Sequence, residues 1–447
     1  MNAVFLGIVF VAFVVGGYHQ LQWVPGGPDS VQPMAALGTA MVEAAGGSVT
    51  LAIGLVGMMA LFLGLMKVAE AGGLLTIIAK TLRPLMVRAF PDVPANHPAM
   101  GAMILNFSAN ALGLANAATP FGIRAMQELD KLNPIKGTAS NAMVLFLALN
   151  TSSLTLLPTG VIALRVSAGS MDPAGILPTT LFATCVSTVC ALIAVKVYQR
   201  FSTVDVTKAE EAEVAATANA VSATGSAGAH VSVPELPDVP AEASSGAYPV
   251  WVSVTALAAI VGLIPLAVIY GDAVSPWIIP GLMVALLGFG AARQVRVYEV
   301  FVDGARDGFQ VALRIIPYLV AILVAVAMLR ASGALDIIVG FLSPMTSPFG
   351  LPGDALPMAL MRPLSGSGAY GILAATIQDP SIGPDSYTGY LVSTFQGSTE
   401  TTFYVLAVYY GSVQVRRIRH TLAAALTADV AGVVGAVIAC SYLFGGR

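Results

Sequence analysis

An all-α integral membrane protein, built from two inverted copies of one helical unit, is predicted by three features of the sequence. These are its sparse charge, its recurrent long apolar runs, and a series of motifs that occurs twice in one order. Of 447 residues, 56% are hydrophobic and 10% are charged, with a mean hydropathy of +0.81. A soluble domain carries about 25% charged residues, so too little charge remains here to cover a water-facing surface. Apolar runs close to the ~20 residues that cross a bilayer occupy 4–17, 49–66, 176–195, 249–270, 277–292, 310–329 and 421–444. The first, MNAVFLGIVFVAFVVGGY, lacks a basic leader and an A-x-A site, and reads as a retained helix rather than a cleaved signal.

The repeat is visible motif by motif. VEAAGGSVTLAIGLVGMMALFLGLMKVAEAGGLL from Val42 pairs with VDGARDGFQVALRIIPYLVAILVAVAMLRASGAL from Val302. Leu82-Arg83-Pro84 pairs with Leu342-Ser343-Pro344, and GAMILNFSANALG (101–113) with ALMRPLSGSGAYG (359–371). NTSSLTLLPTGVIAL (150–164) pairs with GSTETTFYVLAVYYG (397–411), and each copy closes on a plain apolar helix, 176–199 and 421–444. Matches in a fixed order mark an internal repeat. Each copy is expected to hold an interfacial helix, a re-entrant hairpin, a broken transmembrane helix and a plain transmembrane helix. The first hairpin is expected over 97–130, with its break across GLANAATPFG (113–122), where glycine and proline interrupt the helix.

The first membrane half spans 1–200, with its repeat at about 37–200, and the second spans 248–447, with its repeat at about 298–446. Between them, 203–247 carries Glu210, Glu211 and Glu213 and then a run rich in Ala, Ser, Gly, Pro and Val. Such a segment buries too little apolar area to offset its ordering entropy and reads as a disordered tether.

Lys and Arg accumulate on the cytoplasmic side. Loop 18–36 has neither and is placed outside, whereas 76–90 carries Lys80, Arg83 and Arg88 and is placed on the inner surface as an interfacial helix. Lys131 and Lys136 follow the first hairpin, and Lys196 and Arg200 end the first half. Helices 249–270 and 277–292 go out and return to Arg293 and Arg296. The loops 166–177 and 379–386 hold no Lys or Arg, while loop 412–420 holds Arg416, Arg417 and Arg419. Matched loops thus carry opposite charge bias, as inverted copies require, and the total comes to about nine crossings.

Several function classes are excluded. A net charge of −3 with no basic, aromatic-interleaved patch gives no nucleic-acid footprint. Cys185, Cys190 and Cys440 lie inside apolar runs without metal or disulfide spacing, and His19, His97, His230 and His420 are scattered. No Walker sequence and no hydrolase constellation is present, so the chain reads as a non-enzyme without a cofactor.

The chemistry-bearing residues cluster at the breaks. Glu400 sits mid-segment, and an ionised group at membrane depth costs about 2.5–3.5 kcal/mol on insertion scales, so it is expected to face a cavity, a partner or an ion. Around it stand Ser398, Thr399, Thr401 and Thr402, matched in the first copy by Asn150, Thr151, Ser152 and Ser153. A bland role for these hydroxyls is bonding back to the preceding turn; two clusters at matched breaks favour a binding site. The hairpins add Asn106, Asn110 and Asn116 on the first and Arg362, Ser365 and Ser367 on the second. Arg362 is read as binding an anion or pairing with Glu400. Lys67, Glu70 and Arg330 are read as locally paired helix-end charges, and Gly46-Gly47 and Gly288-Phe289-Gly290 as helix packing.

Two stretches resemble a known family. LGLMKVAEAGG, HPAMGAMILNFSANALGLANAATPFG and NAMVLFLALNTSS resemble spore maturation protein A. PYLVAILVAVAMLRASGALD, PMALMRPLSGSGAYG and GSTETTFYVLAVYYGSVQVRRIRH resemble spore maturation protein B. The chain resembles a natural fusion of the two, within the nucleoside-recognition or gate domain group, and its core is similar to that of concentrative nucleoside transporters. The resemblance implies a multi-pass protein of a bacterial inner membrane. It also implies a secondary transporter for a small polar solute, such as a nucleoside, or alternatively a non-transporting scaffold or regulator in spore or envelope processes. Expected partners are the lipid bilayer, the solute, a coupling cation or proton, and, as an open alternative, a further copy of the chain.

Overall fold

In hydrocarbon a backbone has to bond its own N–H and C=O groups, which leaves helix as the local solution for each apolar run. A computed structural model describes residues 2–24, 31–113, 115–153, 155–202 and 247–445, and among them the elements are helical throughout. The expected tether, but for Ala247, lies outside the described residues, as does the side chain of Asn116.

After α1 (Asn2–Gln22), one series of elements occurs twice. In the first half it runs α2 (Pro33–Ala71), α3 (Leu74–Ala89), the pair α4 (Pro98–Ala111) and α5 (Ala115–Lys131), the pair α6 (Asn141–Thr151) and α7 (Thr159–Ser167), and α8 (Leu177–Gln199). After α9 (Val250–Ala292) come α10 (Val297–Ala331), α11 (Ala334–Thr346), the pair α12 (Leu356–Met361) and α13 (Gly366–Gln378), the pair α14 (Tyr387–Ser398) and α15 (Thr402–Ser412), and α16 (Thr421–Phe444). The correspondence reaches single residues. Both α3 and α11 start after a glycine in the left-handed region, Gly73 (φ 85°) and Gly333 (φ 77°), and both carry an internal proline, Pro84 and Pro344. Among the described residues five helices are long and apolar enough to cross a membrane: 5–22, 33–71, 177–199, 297–331 and 421–444.

Matched helices pack on each other. α2 lies along α10, and α8 along α16. The first contact is close because α10 presents Gly304 and Gly308, four residues apart. A Cβ on Gly308 would stand 2.6 Å from the Met59 carbonyl oxygen and 2.7 Å from Ala60 N and Cα. Small residues at this spacing let membrane helices meet backbone to backbone. Gly46, Gly47 and Gly288 face open space instead, and of the glycines expected to pack helices, Gly290 alone does so, against Val68.

Two helix boundaries differ from those expected. The first hairpin breaks after Ala111, around Gly113 (φ 73°), rather than across 113–122; Pro120 sits inside α5, one turn in, where it forfeits a single backbone bond. The runs 249–270 and 277–292 fall within one helical element, α9, without the non-helical stretch expected between them. Its two ends nonetheless lie near neighbouring parts of the chain: Tyr248 N, just before α9, donates to the Lys80 carbonyl on α3 (3.3 Å), and the Phe289 ring fills the space beside Gly72, just before α3. Chain length keeps those points within about 28 Å of each other, whereas a straight helix of this length spans about 65 Å, so the segment bends back on itself.

The loops gather in two groups. Residues 137–141 meet 416–419: Arg416 N and Arg417 N donate to the Gly137 carbonyl (2.8 and 3.0 Å), and Arg419 Nη1 to Ala139 O and Asn141 Oδ1 (3.0 and 2.9 Å). Residues 165–172 meet 384–390 around the wholly buried Arg165. Its guanidinium donates to Asp385 Oδ1 (2.9 Å), Pro384 O (2.7 Å) and Asp172 O (3.1 Å), and lies 4.3 Å from the Tyr390 ring centre. In the same loop, burial raises the Asp379 carboxyl, but hydrogen bonds from Ser381 and the Arg330 guanidinium outweigh this and hold it below the usual range. Arg83, expected on a surface face, is instead buried and donates to Ala95 O (2.9 Å).

Candidate functional site

The two breaks meet. In the second half, Thr399 (φ −134°) and Thr401 (φ −82°) leave the helical region on either side of Glu400. Two β-branched residues favour this extended backbone. In the first half the chain leaves the helix at Ser153 (φ 39°) and re-enters after Pro158. Glu400 N donates to the Thr151 carbonyl (2.8 Å), which ties one break to the other through backbone alone. Thr184, on α8, lies within hydrogen-bond reach of three freed carbonyls: Ser152 (3.1 Å), Ser153, and Ser398 from the other half (2.9 Å). Protein groups of this kind satisfy the backbone that a helix break sets free.

Each hairpin tip closes on the break of its own half. Leu156 N donates to Ala111 O (3.1 Å), and a Cβ on Gly113 would stand 2.9 Å from Leu157 O. Phe403 N donates to Pro363 O (3.1 Å), and Gly366 faces Thr401.

Between these parts lies a cavity of about 520 Å³, within the range of small-molecule sites. Of the predicted residues, Asn110, Ser153, Arg362, Thr399 and Glu400 line it. Thr155, Thr159, Tyr370, Gln396 and Asp307 add polar groups from elsewhere. Lys67 and Glu70, expected merely to pair, do so at 3.3 Å and also stand in the wall. Arg362 is 5% exposed and donates to Thr401 Oγ1 (3.0 Å) and Thr399 O; its Nη2 lies 3.8 Å from Glu400 Oε2. The Glu400 side chain is 41% exposed, and its Oε2 accepts from Thr401 N (3.1 Å). One partly exposed carboxylate beside one buried guanidinium suits a ligand that both donates and accepts hydrogen bonds.

Other predicted residues serve the frame. Asn150 accepts from Asn110 Nδ2 (3.1 Å) and donates to Phe146 O (2.8 Å). Thr151 and Ser152 bond back to Ala148 O and Leu149 O (2.9 and 3.0 Å). Asn106 is wholly buried and joins the arms of the first hairpin, donating to Ala118 O (2.7 Å) and to the Tyr409 hydroxyl (3.2 Å). Ser365 caps α13, accepting from Gly368 N (3.0 Å), and Ser367 faces a separate cavity of about 260 Å³. Ser398 and Thr402 point away from the main cavity, and Thr402 Oγ1 donates to Asp429 Oδ2 (2.7 Å). Glu400 is therefore not the sole acidic group near the breaks. Asp429 was legible as a lone charge in an apolar run; Thr184 carried no signal. Among the described residues, no group of three or more His, Cys, Asp or Glu side chains is placed to hold a metal.

Fold and cavity together define a multi-pass membrane protein whose two halves meet at paired helix breaks. The family model described as Gate, nucleoside recognition, matches residues 52–168 and again 312–416. Spore maturation protein B of Bacillus subtilis (strain 168) is 44% identical over 37% of this chain and 93% of its own length. Spore maturation protein A of the same organism is 45% identical over 34% of this chain and 79% of its own length. The chain belongs to the spore maturation protein A and B family, with the gate domain present in both halves. Inner membrane protein YjiG of Escherichia coli (strain K12) is 36% identical over 18% of this chain and 56% of its own length. Among solved structures, a double variant of CNTnw in an outward-facing state aligns with a TM-score of 0.46 and 13% identity, over 98% of this chain and 91% of that one. CNTnw in an inward-facing, substrate-bound state aligns at 0.42 and 14%, over 100% and 92%.

Proposed function

We propose that this chain is a secondary transporter of the bacterial inner membrane for a small polar solute of the nucleoside class, which binds between the two helix breaks. The observation that carries this reading is the cavity of about 520 Å³ where Glu400 and Arg362 face Asn110 and Ser153. It has the size for a nucleoside, and amide, hydroxyl, carboxylate and guanidinium groups match the donors and acceptors of a sugar and a base. The family description, nucleoside recognition, points to the same substrate class.

Inverted topology is part of the proposal. The loop between hairpin and broken helix in the first half (132–140) lies with 416–419, whereas its counterpart in the second half (379–386) lies with 165–172. Matched loops at opposite ends support two copies of opposite orientation, and each broken helix then crosses once. In a cysteine-free background, a cysteine at Met171 is expected to react with a membrane-impermeant maleimide added outside, and one at Leu132 only after permeabilisation. Both residues are exposed. Labelling of both from one side would overturn the topology. The segment 203–247 is proposed to act as a tether that holds the halves at high effective concentration.

The test of function is uptake by proteoliposomes of the full chain, offered radiolabelled uridine, adenosine, glucose and leucine under imposed ion gradients. Gradient-driven accumulation of nucleosides, and not of leucine, is expected. The names of the relatives favour a second reading, a scaffold in spore maturation. No uptake of any solute, with unchanged assembly in the membrane, is the result that supports it.

A further inference from the structure

Asp429 stands on α16, about 12 Å along a helix long enough to cross the bilayer. It is 4% exposed. One oxygen accepts from Thr402 Oγ1 (2.7 Å), and the other has no hydrogen-bond partner. Two neighbouring atoms are in the same condition, Arg362 Nε and Ser398 Oγ. All three residues line one cavity of about 10 Å³, the space of a single water molecule. This cavity is not the solute cavity; Arg362 and Thr399 form the wall between the two.

The elements around Asp429 supply little charge. Thr402 faces it from α15 and Ser398 from α14, while Ser187 on α8 donates to the Ala428 carbonyl beside it (2.8 Å). The charged group among them is Arg362, whose other side faces Glu400 at 3.8 Å. One guanidinium thus stands between two carboxylates. At membrane depth a single cation neutralises one of them, and the second is held most cheaply as the protonated acid.

We propose that Asp429 is a proton-binding site, antagonistic to the charge on Glu400 through the shared Arg362. While Arg362 is committed to Glu400, Asp429 keeps a proton, exchanged through the small cavity. When Glu400 is neutralised or engaged by solute, Arg362 balances Asp429, which releases that proton. The link to solute rests on the transporter reading above; the protonation itself does not.

Infrared difference titration of the purified full-length protein, without solute, reads the carboxylic C=O stretch directly. The wild type is expected to show a protonated carboxyl that persists at neutral pH. Asp429→Asn should abolish it. Thr402→Val removes a donor to the ionised form and should move the midpoint up by about one pH unit, so this variant tests the assignment even if the asparagine protein does not fold. Glu400→Gln frees Arg362 and should move the midpoint down by about one unit or more. A band absent from the wild type at neutral pH, or retained in Asp429→Asn, overturns the site. An unmoved midpoint in Glu400→Gln overturns the antagonism. A failure of nucleoside uptake leaves these readings intact, so the two proposals fail separately.

Discussion

Glu400→Gln is expected to lower solute accumulation in proteoliposomes by about tenfold or more, because it deletes the charged acceptor beside Arg362, a loss of about 1.5–3 kcal/mol. The substitution keeps the size of the side chain. It also keeps the backbone bond from residue 400 to the Thr151 carbonyl, on which the joining of the breaks depends. Arg362 retains its contacts with Thr401 Oγ1 and Thr399 O. Membrane insertion, elution volume and melting temperature should therefore match the wild type. Wild-type uptake by the glutamine protein would remove Glu400 from the site. A collapse of melting temperature along with uptake would assign it to the frame.

Gly308→Leu should prevent the two halves from docking. A Cβ at this position already meets backbone atoms of Met59 and Ala60 at 2.6–2.7 Å, and backbone cannot turn aside as a side chain can. Leucine forces α2 and α10 apart along their shared length, a cost beyond the usual 1–3 kcal/mol of overpacking. The measurement is made on the chain cut near Gly225, both halves being expressed together with a tag on one. Wild-type halves are expected to co-purify and the Gly308→Leu pair to separate. Gly57→Leu, at an open position on α2, is the control that should leave co-purification unchanged. Co-purification of the Gly308→Leu halves would show that α8 and α16 carry the assembly.

What was legible in the sequence, and what was not, divides along physical lines. Sparse charge and long apolar runs made the helical membrane class readable, because hydrocarbon permits few other structures. The segments expected as hairpins and broken helices do form pairs of short helices, since Gly113, Ser153, Pro158 and the Thr399–Thr401 stretch oppose continuous helix locally. Exact breaks were less legible. Pro120 was expected to interrupt the hairpin and instead lies within α5, while the runs 249–270 and 277–292 are joined in α9. Packing glycines were misplaced because a glycine's neighbours belong to another helix: Gly46 faces open space and Gly308 touches α2. Within the candidate site, residue type pointed to Glu400, Arg362 and Asn110, but the direction of a hydroxyl depends on its partner. Thr402 turned to Asp429, and Thr151 to its own helix.

The Glu400 amide and the Ser398 carbonyl find their partners in the other half, on Thr151 and Thr184. Neither half therefore contains all the acceptors and donors that its own broken helix requires. Synthesised alone, each would leave peptide groups unpaired, at about 1–3 kcal/mol for each one kept from water. Joining the halves in one polypeptide fixes their stoichiometry at one to one in every molecule made. Gene dosage, translation rate and diffusion then cease to govern assembly.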